Sequence, residues 1–172
     1  MLTFRGKARR FGENIRADIA IKYSPSLAPI NDPLKLAQVC MVGYDPSFPQ
    51  RAMPGDIIVA GRNFALGHMH PQFYYSLIGL GISAVIADST GRRFYRDAIN
   101  AGLPVLIHHG IADLVVENDE LFLDLNTGTL DNVTRGDRVL LSPVPAILLE
   151  ILAAGGLVQF LKRARAKNKN SH

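Results

Sequence analysis

The sequence predicts a single α/β domain, and two observations carry that expectation. The first is the alternation of three short apolar runs, Ile57-Ile58-Val59-Ala60, Ser83-Ala84-Val85-Ile86-Ala87 and Val105-Leu106-Ile107, with two segments of helical character. Short apolar runs of this kind suit strands buried on both faces, and strand–helix–strand alternation builds a parallel sheet with right-handed crossovers. The second is a change of pattern towards the C-terminus, where Leu121-Phe122-Leu123-Asp124-Leu125, the turn Asn126-Thr127-Gly128 and Arg138-Val139-Leu140-Leu141 read as a β-rich meander. The 172 residues, 48% hydrophobic and 20% charged, suffice for one domain with a substantial core. No repeat, low-complexity segment or second domain is evident, so the domain spans 1–172, with residues 1–10 and 166–172 read as basic, flexible ends.

The elements follow in order. Residues 12–23 suggest a turn and a short strand, and Ser24-Pro25-Ser26-Leu27-Ala28-Pro29-Ile30 is a loop constrained by two prolines. Asp32-Pro33 places an N-cap before a first-turn proline and predicts a helix to about Met41. Pro54-Gly55-Asp56 turns the chain into the first buried strand. Pro71 opens a helix to about Leu80, with Gly79 and Gly81 helping to end it, and Arg92 to Ala101 form the next, stopped by Gly102. A closing helix from about Pro145 to Arg165 presents Ile147, Leu148, Ile151 and Leu152 on one face, is interrupted by Gly155-Gly156, and ends in basic residues that suit its dipole.

Composition narrows the function. The net charge is +4, but nine of the 19 basic residues cluster near the two ends, leaving 10 basic against 15 acidic in the body. With no aromatic platform among the basic residues and no recognition-helix pattern, nucleic acid is not an expected partner. No apolar run approaches the roughly 20 residues that span a bilayer, and the N-terminus lacks a signal-type apolar stretch, so a cytoplasmic location without membrane contact is expected. The single cysteine, Cys40, cannot by itself anchor an iron–sulfur cluster or a structural zinc, and reads as a small buried hydrophobe.

The segment Val59-Ala60-Gly61-Arg62-Asn63-Phe64-Ala65-Leu66-Gly67-His68-Met69-His70-Pro71-Gln72 stands out as a buried strand running into a tight loop that opens a helix. Unpaired amides at such a helix start favour an anion or substrate. With Pro54-Gly55-Asp56 before it, Gly81-Ile82-Ser83-Ala84-Val85-Ile86-Ala87 and Arg93-Phe94-Tyr95-Arg96-Asp97-Ala98-Ile99-Asn100-Ala101-Gly102-Leu103-Pro104-Val105 after it, Cys40-Met41 leading to Asp45-Pro46, and Leu149-Glu150-Ile151 through Gly155-Gly156-Leu157, the chain resembles the small subunit of 3-isopropylmalate dehydratase, the swivelling domain of the aconitase superfamily, over about residues 11–165. The resemblance implies a three-layer β/β/α swivelling domain. It implies a hydro-lyase that dehydrates and rehydrates a substituted malate-type diacid, in company with a large subunit that carries the [4Fe–4S] cluster. No cofactor or metal is then expected on this chain.

The chain departs from the family pattern at its centre. Where the family loop reads Gly-Cys-Gly-Ser-Ser-Arg-Glu-His, this chain has Ala65, Leu66, Gly67, His68, Met69, His70, Pro71 and Gln72. The family's serine base and carboxylate-gripping arginine are therefore missing. Histidine is a better general base at neutral pH than an unactivated serine, but it holds a carboxylate well only when protonated. His68 and His70 are accordingly the candidate catalytic residues, with Gly67, Met69 and Asn63 as candidate substrate contacts. Near the start, Ile15-Arg16-Ala17-Asp18 stands where the family has Ile-Asp-Thr-Asp. Asp18 persists and Arg16 is new, either as a replacement carboxylate grip or as a surface residue. In the loop that selects the substrate's substituent in the family, Leu27 suits an apolar group. Two other readings remain open: His68 and His70 as a metal pair, and a non-catalytic or regulatory paralogue that binds the large subunit. Asn63, Arg62 and Gly67 are also read as loop-shaping residues, His108-His109 as polar loop surface, and Arg92 as half of a structural ion pair.

Overall fold

The computed structural model describes residues 1–169. In chain order the elements are β1 (Thr3–Phe11), α1 (Ala17–Ala20), α2 (Pro33–Leu36) continued by a 3-10 turn (Ala37–Val39), α3 (Phe48–Arg51), β2 (Ile57–Ala60), α4 (Pro71–Gly79), β3 (Ala84–Ala87), α5 (Arg92–Asn100), β4 (Val105–Ile107), α6 (Ile111–Leu114), β5 (Glu120–Asp124), β6 (Thr129–Asn132), β7 (Asp137–Leu140), α7 (Ala146–Ala154) and α8 (Leu157–Lys169). The seven strands run β4-β3-β2-β1-β5-β6-β7. β1 to β4 pair in parallel and β1, β5, β6 and β7 pair antiparallel, so β1 belongs to both halves. The expected α/β class, with its β/β/α architecture, is realised as a parallel half built by crossovers and an antiparallel half built by hairpins.

The three apolar runs behave as their composition requires: β2 and β3 are buried at every residue, and β4 at all but its last. A strand with no polar face must be covered on both sides. The antiparallel strands β5 and β6 instead alternate buried and half-buried residues, as one covered face demands.

The N-terminal residues correct the sequence reading. Thr3 to Arg10, expected as part of a flexible basic end, lie in the strand that joins the two half-sheets. Their charge is put to structural use. Arg9, 6% exposed, donates to Asp56 at 2.5 Å and to Asn118 at 2.7 Å. Asp56 also accepts from the backbone N–H groups of Lys7 and Met53. A buried arginine with these partners is satisfied, whereas losing one partner leaves an uncompensated charge. At the other end, residues 166–169 continue α8, and 170–172 lie outside the described residues.

Three further differences have simple causes. Residues 12–23 hold no regular strand; Ala17, Ala20 and Ile21 are buried at i, i+3, i+4 spacing, and the segment closes into α1. The helix expected from residue 32 to 41 stops after α2 and its 3-10 turn, although Asp32 caps it as read, accepting from the Leu34 N–H at 3.0 Å. The C-terminal helix is two helices, because Gly155 and Gly156 both take positive φ (+86° and +113°) and Gly156 packs so tightly on the Asn100 carbonyl that a Cβ would lie 2.7 Å from it. Ile151 and Leu152 are buried as expected, while Ile147 is half exposed. No helix among the described residues is long and apolar enough to cross a membrane.

Candidate active site

The register of the parallel half sets the site. Ala60 at the end of β2 lies level with Phe11 of β1 and Ala87 of β3, so the segments that follow all leave the sheet at one edge. Crevices outside the carboxyl ends of parallel strands are where α/β sheets bind ligands. The segment after β2 is held between the other two. The Leu66 N–H donates to the Ile15 carbonyl at 2.9 Å and the Ala17 N–H donates to that of Leu66 at 3.1 Å. On the opposite side the Phe64 N–H donates to the Ser89 carbonyl and the Gly91 N–H to that of Phe64, both at 2.9 Å. Phe64 also sits in a trio of buried rings with Phe73 of α4 and Phe94 of α5, at centroid distances of 5.5–5.9 Å. The loop is thus fixed by backbone pairing and by an aromatic anchor.

Beyond this clamp the chain alternates. His68 is exposed, Met69 is 5% exposed within the core, and His70 is half buried. Met69, expected to touch substrate, instead packs inward, as an apolar thioether between two polar neighbours does when one side of the chain faces the core. The two imidazoles lie together, with centroids 4.7 Å apart. His70 occupies the N-cap position of α4 in extended conformation, with Pro71 at the first helical position. Its ring stacks on Tyr23 at 3.4 Å and 13°. Burial pushes His70 below its ordinary value of 6.5, the neighbouring His68 and Arg93 add to this, and Asp18 pulls the other way. A lowered proton affinity favours a proton acceptor over an anion holder, which narrows the sequence reading of His70. A pocket of about 460 Å³ opens here, and His70, Tyr23, Asp18 and Lys22 help to line it.

Arg16 and Asp18 complete the site. The guanidinium meets the carboxylate along one edge, Nε to Oδ1 at 3.2 Å and Nη2 to Oδ2 at 2.8 Å. The Arg16 hydrogen bond and charge hold Asp18 below its usual carboxylate range, and Asp18 raises Arg16 in return. This pair lies over Gly67, whose absent Cβ would come 3.5 Å from Asp18 Oδ1 and 3.6 Å from Arg16 Nε. Gly67 has φ +87°, the left-handed conformation that glycine adopts at least cost. A guanidinium carries five N–H donors, so its second edge stays available while Asp18 fixes the first. The arginine that the sequence left open between grip and surface thus lies beside the loop, half exposed.

The remaining candidates make structural contacts. Asn63, at φ +60°, donates from its amide to Asn14 Oδ1 and from its backbone to Ser89 Oγ, both at 2.8 Å, and so shapes the loop. Leu27 is half buried in a loop whose carbonyls at Ala28 and Ile30 accept from buried Gln72 at 2.9 and 3.3 Å, which ties that loop to the start of α4. Cys40 is buried, and burial pushes its thiol up to about 12. Among the described residues no group of three or more His, Cys, Asp and Glu converges as a metal site, and His68 and His70 have no third such ligand. Arg92 makes no ion pair among the described residues; Arg93 pairs with Asp97 instead.

No protein-family model matches the chain. Among curated proteins it is 43% identical over 165 residues to the isopropylmalate/citramalate isomerase small subunit of Methanocaldococcus jannaschii, covering 96% of this chain and 97% of that one. It is 44% identical over 161 residues to the 3-isopropylmalate dehydratase small subunit of Pyrobaculum calidifontis, covering 94% and 98%. The chain belongs to the 3-isopropylmalate dehydratase small-subunit family. Its fold also superposes on the crystal structure of 3-isopropylmalate dehydratase from M. jannaschii with a TM-score of 0.90 at 34% identity, over 99% of both chains.

Within that family frame, the structure adds two residues that the sequence did not single out, Tyr23 and Lys22. Tyr23 lies 47 positions before His70, and a ring stack at that separation leaves no periodicity to read. Lys22 carries an unusual φ of +45° directly before Tyr23, and nothing in the sequence around it marks that turn.

Proposed function

We propose that this chain is the small subunit of a 3-isopropylmalate dehydratase-type hydro-lyase. It would act with an iron–sulfur large subunit on a malate-type diacid with an apolar substituent, and His70 would move the proton. The observation that carries this reading is the Tyr23-stacked, half-buried His70 beside the Arg16–Asp18 pair, at the loop where the family resemblance places the substrate. Dehydration removes a proton from the carbon next to a carboxylate and a hydroxide from the neighbouring carbon. His70 accepts that proton, and returns one when water adds the other way round. The free edge of Arg16 and the ammonium of Lys22 hold the substrate carboxylates, and Asp18 keeps Arg16 in place. His68 lies exposed beside His70, with ring centroids 4.7 Å apart, and lowers its proton affinity.

The donor set of this chain does not fit a cluster. Its one cysteine is a buried, protonated thiol, and thiolates are what clusters need. The [4Fe–4S] group therefore belongs to the partner, where it would supply Lewis-acid assistance to the departing hydroxyl. No step on this chain depends on it.

Co-expression with the large subunit, followed by absorbance of the unsaturated intermediate from substituted malates, tests the proposal. His70→Ala should lower kcat by about 100-fold or more, within the usual range for a general base. Unchanged turnover rules out the assignment. A complex that forms but converts no substituted malate leaves this chain as a non-catalytic partner.

A further inference from the structure

A cleft larger than the His70 pocket lies at the far edge of the parallel half-sheet. It holds about 710 Å³, within the roughly 300–1,000 Å³ usual for small-molecule sites. Its floor is aliphatic: Val105, Leu106 and Ile107 of the edge strand β4 face Pro143 and Val144 of the segment that leads into α7. Its rim is cationic. Arg92 and Arg96 stand one helical turn apart on α5, and His109 follows the end of β4. No carboxylate lines the cleft among the described residues, and neither arginine has an acidic partner there. On the same helix Arg93 is paired with Asp97, so α5 does supply a carboxylate, but to the arginine outside the cleft.

We propose that this cleft is a second ligand site, separate from the His70 pocket, for a small carboxylate with a branched aliphatic chain. An aliphatic floor gains from excluding water but sets no orientation, and two adjacent guanidinium groups with unused donors select a carboxylate at one end. A neutral hydrocarbon would leave the cationic rim unanswered, and a short carboxylate such as acetate would leave the floor wet. The site also touches the catalytic loop. Thr90 lines the cleft, and its backbone forms a strand bridge with Phe64, the residue that anchors the loop. A ligand here therefore presses on the segment that clamps the loop in place.

Amide-resolved NMR titration of the full chain with 4-methylpentanoate tests the proposal. Expected are saturable shifts confined to residues 90–96, 105–109 and 142–145, and binding at least about tenfold weaker for 4-methylpentanamide, which keeps the tail and lacks the charge. Acetate should bind at least as weakly. The double variant Arg92→Gln/Arg96→Gln changes two exposed side chains, and its melting curve checks that it folds as the parent does. It should also bind about tenfold or more weakly, while His70→Ala should bind as the parent does. Equal binding of the amide, undiminished binding in the double variant, shifts centred on His70, or no saturable binding would each overturn the proposal. Loss of carboxylate binding when the large subunit is added would assign the cleft to the subunit interface instead, and overturn it as well.

Discussion

Tyr23 and His70 stack face to face at 3.4 Å, joining the end of the α1 turn to the N-cap of α4. The stack fixes the plane of the imidazole and removes one of its faces from water. His70→Ala tests the chemistry; Tyr23 tests the positioning. Tyr23→Phe keeps the ring and should leave kcat within about twofold, whereas Tyr23→Ala should lower kcat by about tenfold or more as the imidazole loses its orientation. The two variants should also separate in the His70 titration, with Tyr23→Ala returning it towards 6.5.

His70 titrates below 6.5 chiefly because it is partly buried, with His68 adding to the effect. Imidazole proton resonances followed against pH should place it there, and His68→Ala should move it up. The base works only when neutral, so the acidic limb of the pH–rate profile should fall below pH 6.5 and shift upward with His68→Ala. Stability follows the same sign. The unfolded chain binds this proton more tightly than the folded one, so the contribution of His70 is present above pH 6.5 and is lost progressively as pH falls through the folded value. Thermal midpoints measured across that window should flatten in His70→Ala.

Arg16 and Asp18 should act on binding more than on the chemical step. Arg16→Gln should raise KM by about tenfold or more, the scale of lost charge-assisted hydrogen bonds, with a smaller change in kcat. Asp18→Asn frees the guanidinium to swing from its seat over Gly67. It should raise KM less, and lower His70 further by removing the nearby negative charge. Steady-state kinetics with the reconstituted complex and the His70 titration read the two effects separately.

Arg9 and Asp56 lie in the core, 6% and 3% exposed. Asp56→Ala leaves a buried guanidinium without its main partner and should cost about 3–5 kcal/mol in urea unfolding. The double variant Arg9→Met/Asp56→Ala should recover much of that loss, since it buries no uncompensated charge.

The two halves of the structure were unequally legible in the sequence. β2, β3 and β4 were readable because a strand buried on both faces is apolar at nearly every position. The family resemblance rested on the ordered segments around them, the one before the histidines running from Pro54 to Phe64. β1 was not readable. Arg5, Lys7, Arg9 and Arg10 resemble a solvated tail until Asp56, 47 residues on from Arg9, is brought against it. The same limit applied to α1, too short to show a period, and to Met69, whose direction depends on which side of the loop faces the core.

Residue types alone thus determined that this chain builds a parallel half-sheet with a loop at its edge, and that the loop holds two histidines, His68 and His70. Hydrophobic period and turn chemistry are local properties, and they survive in a linear reading. Which side chains meet around the loop and what seats each of them were decided by the tertiary structure alone. Those placements arise from Tyr23 on His70, Asp18 on Arg16, and the space left by Gly67. Each is a contact between segments whose partners no periodicity encodes, and burial and charge act on a side chain only through the neighbours that the fold supplies.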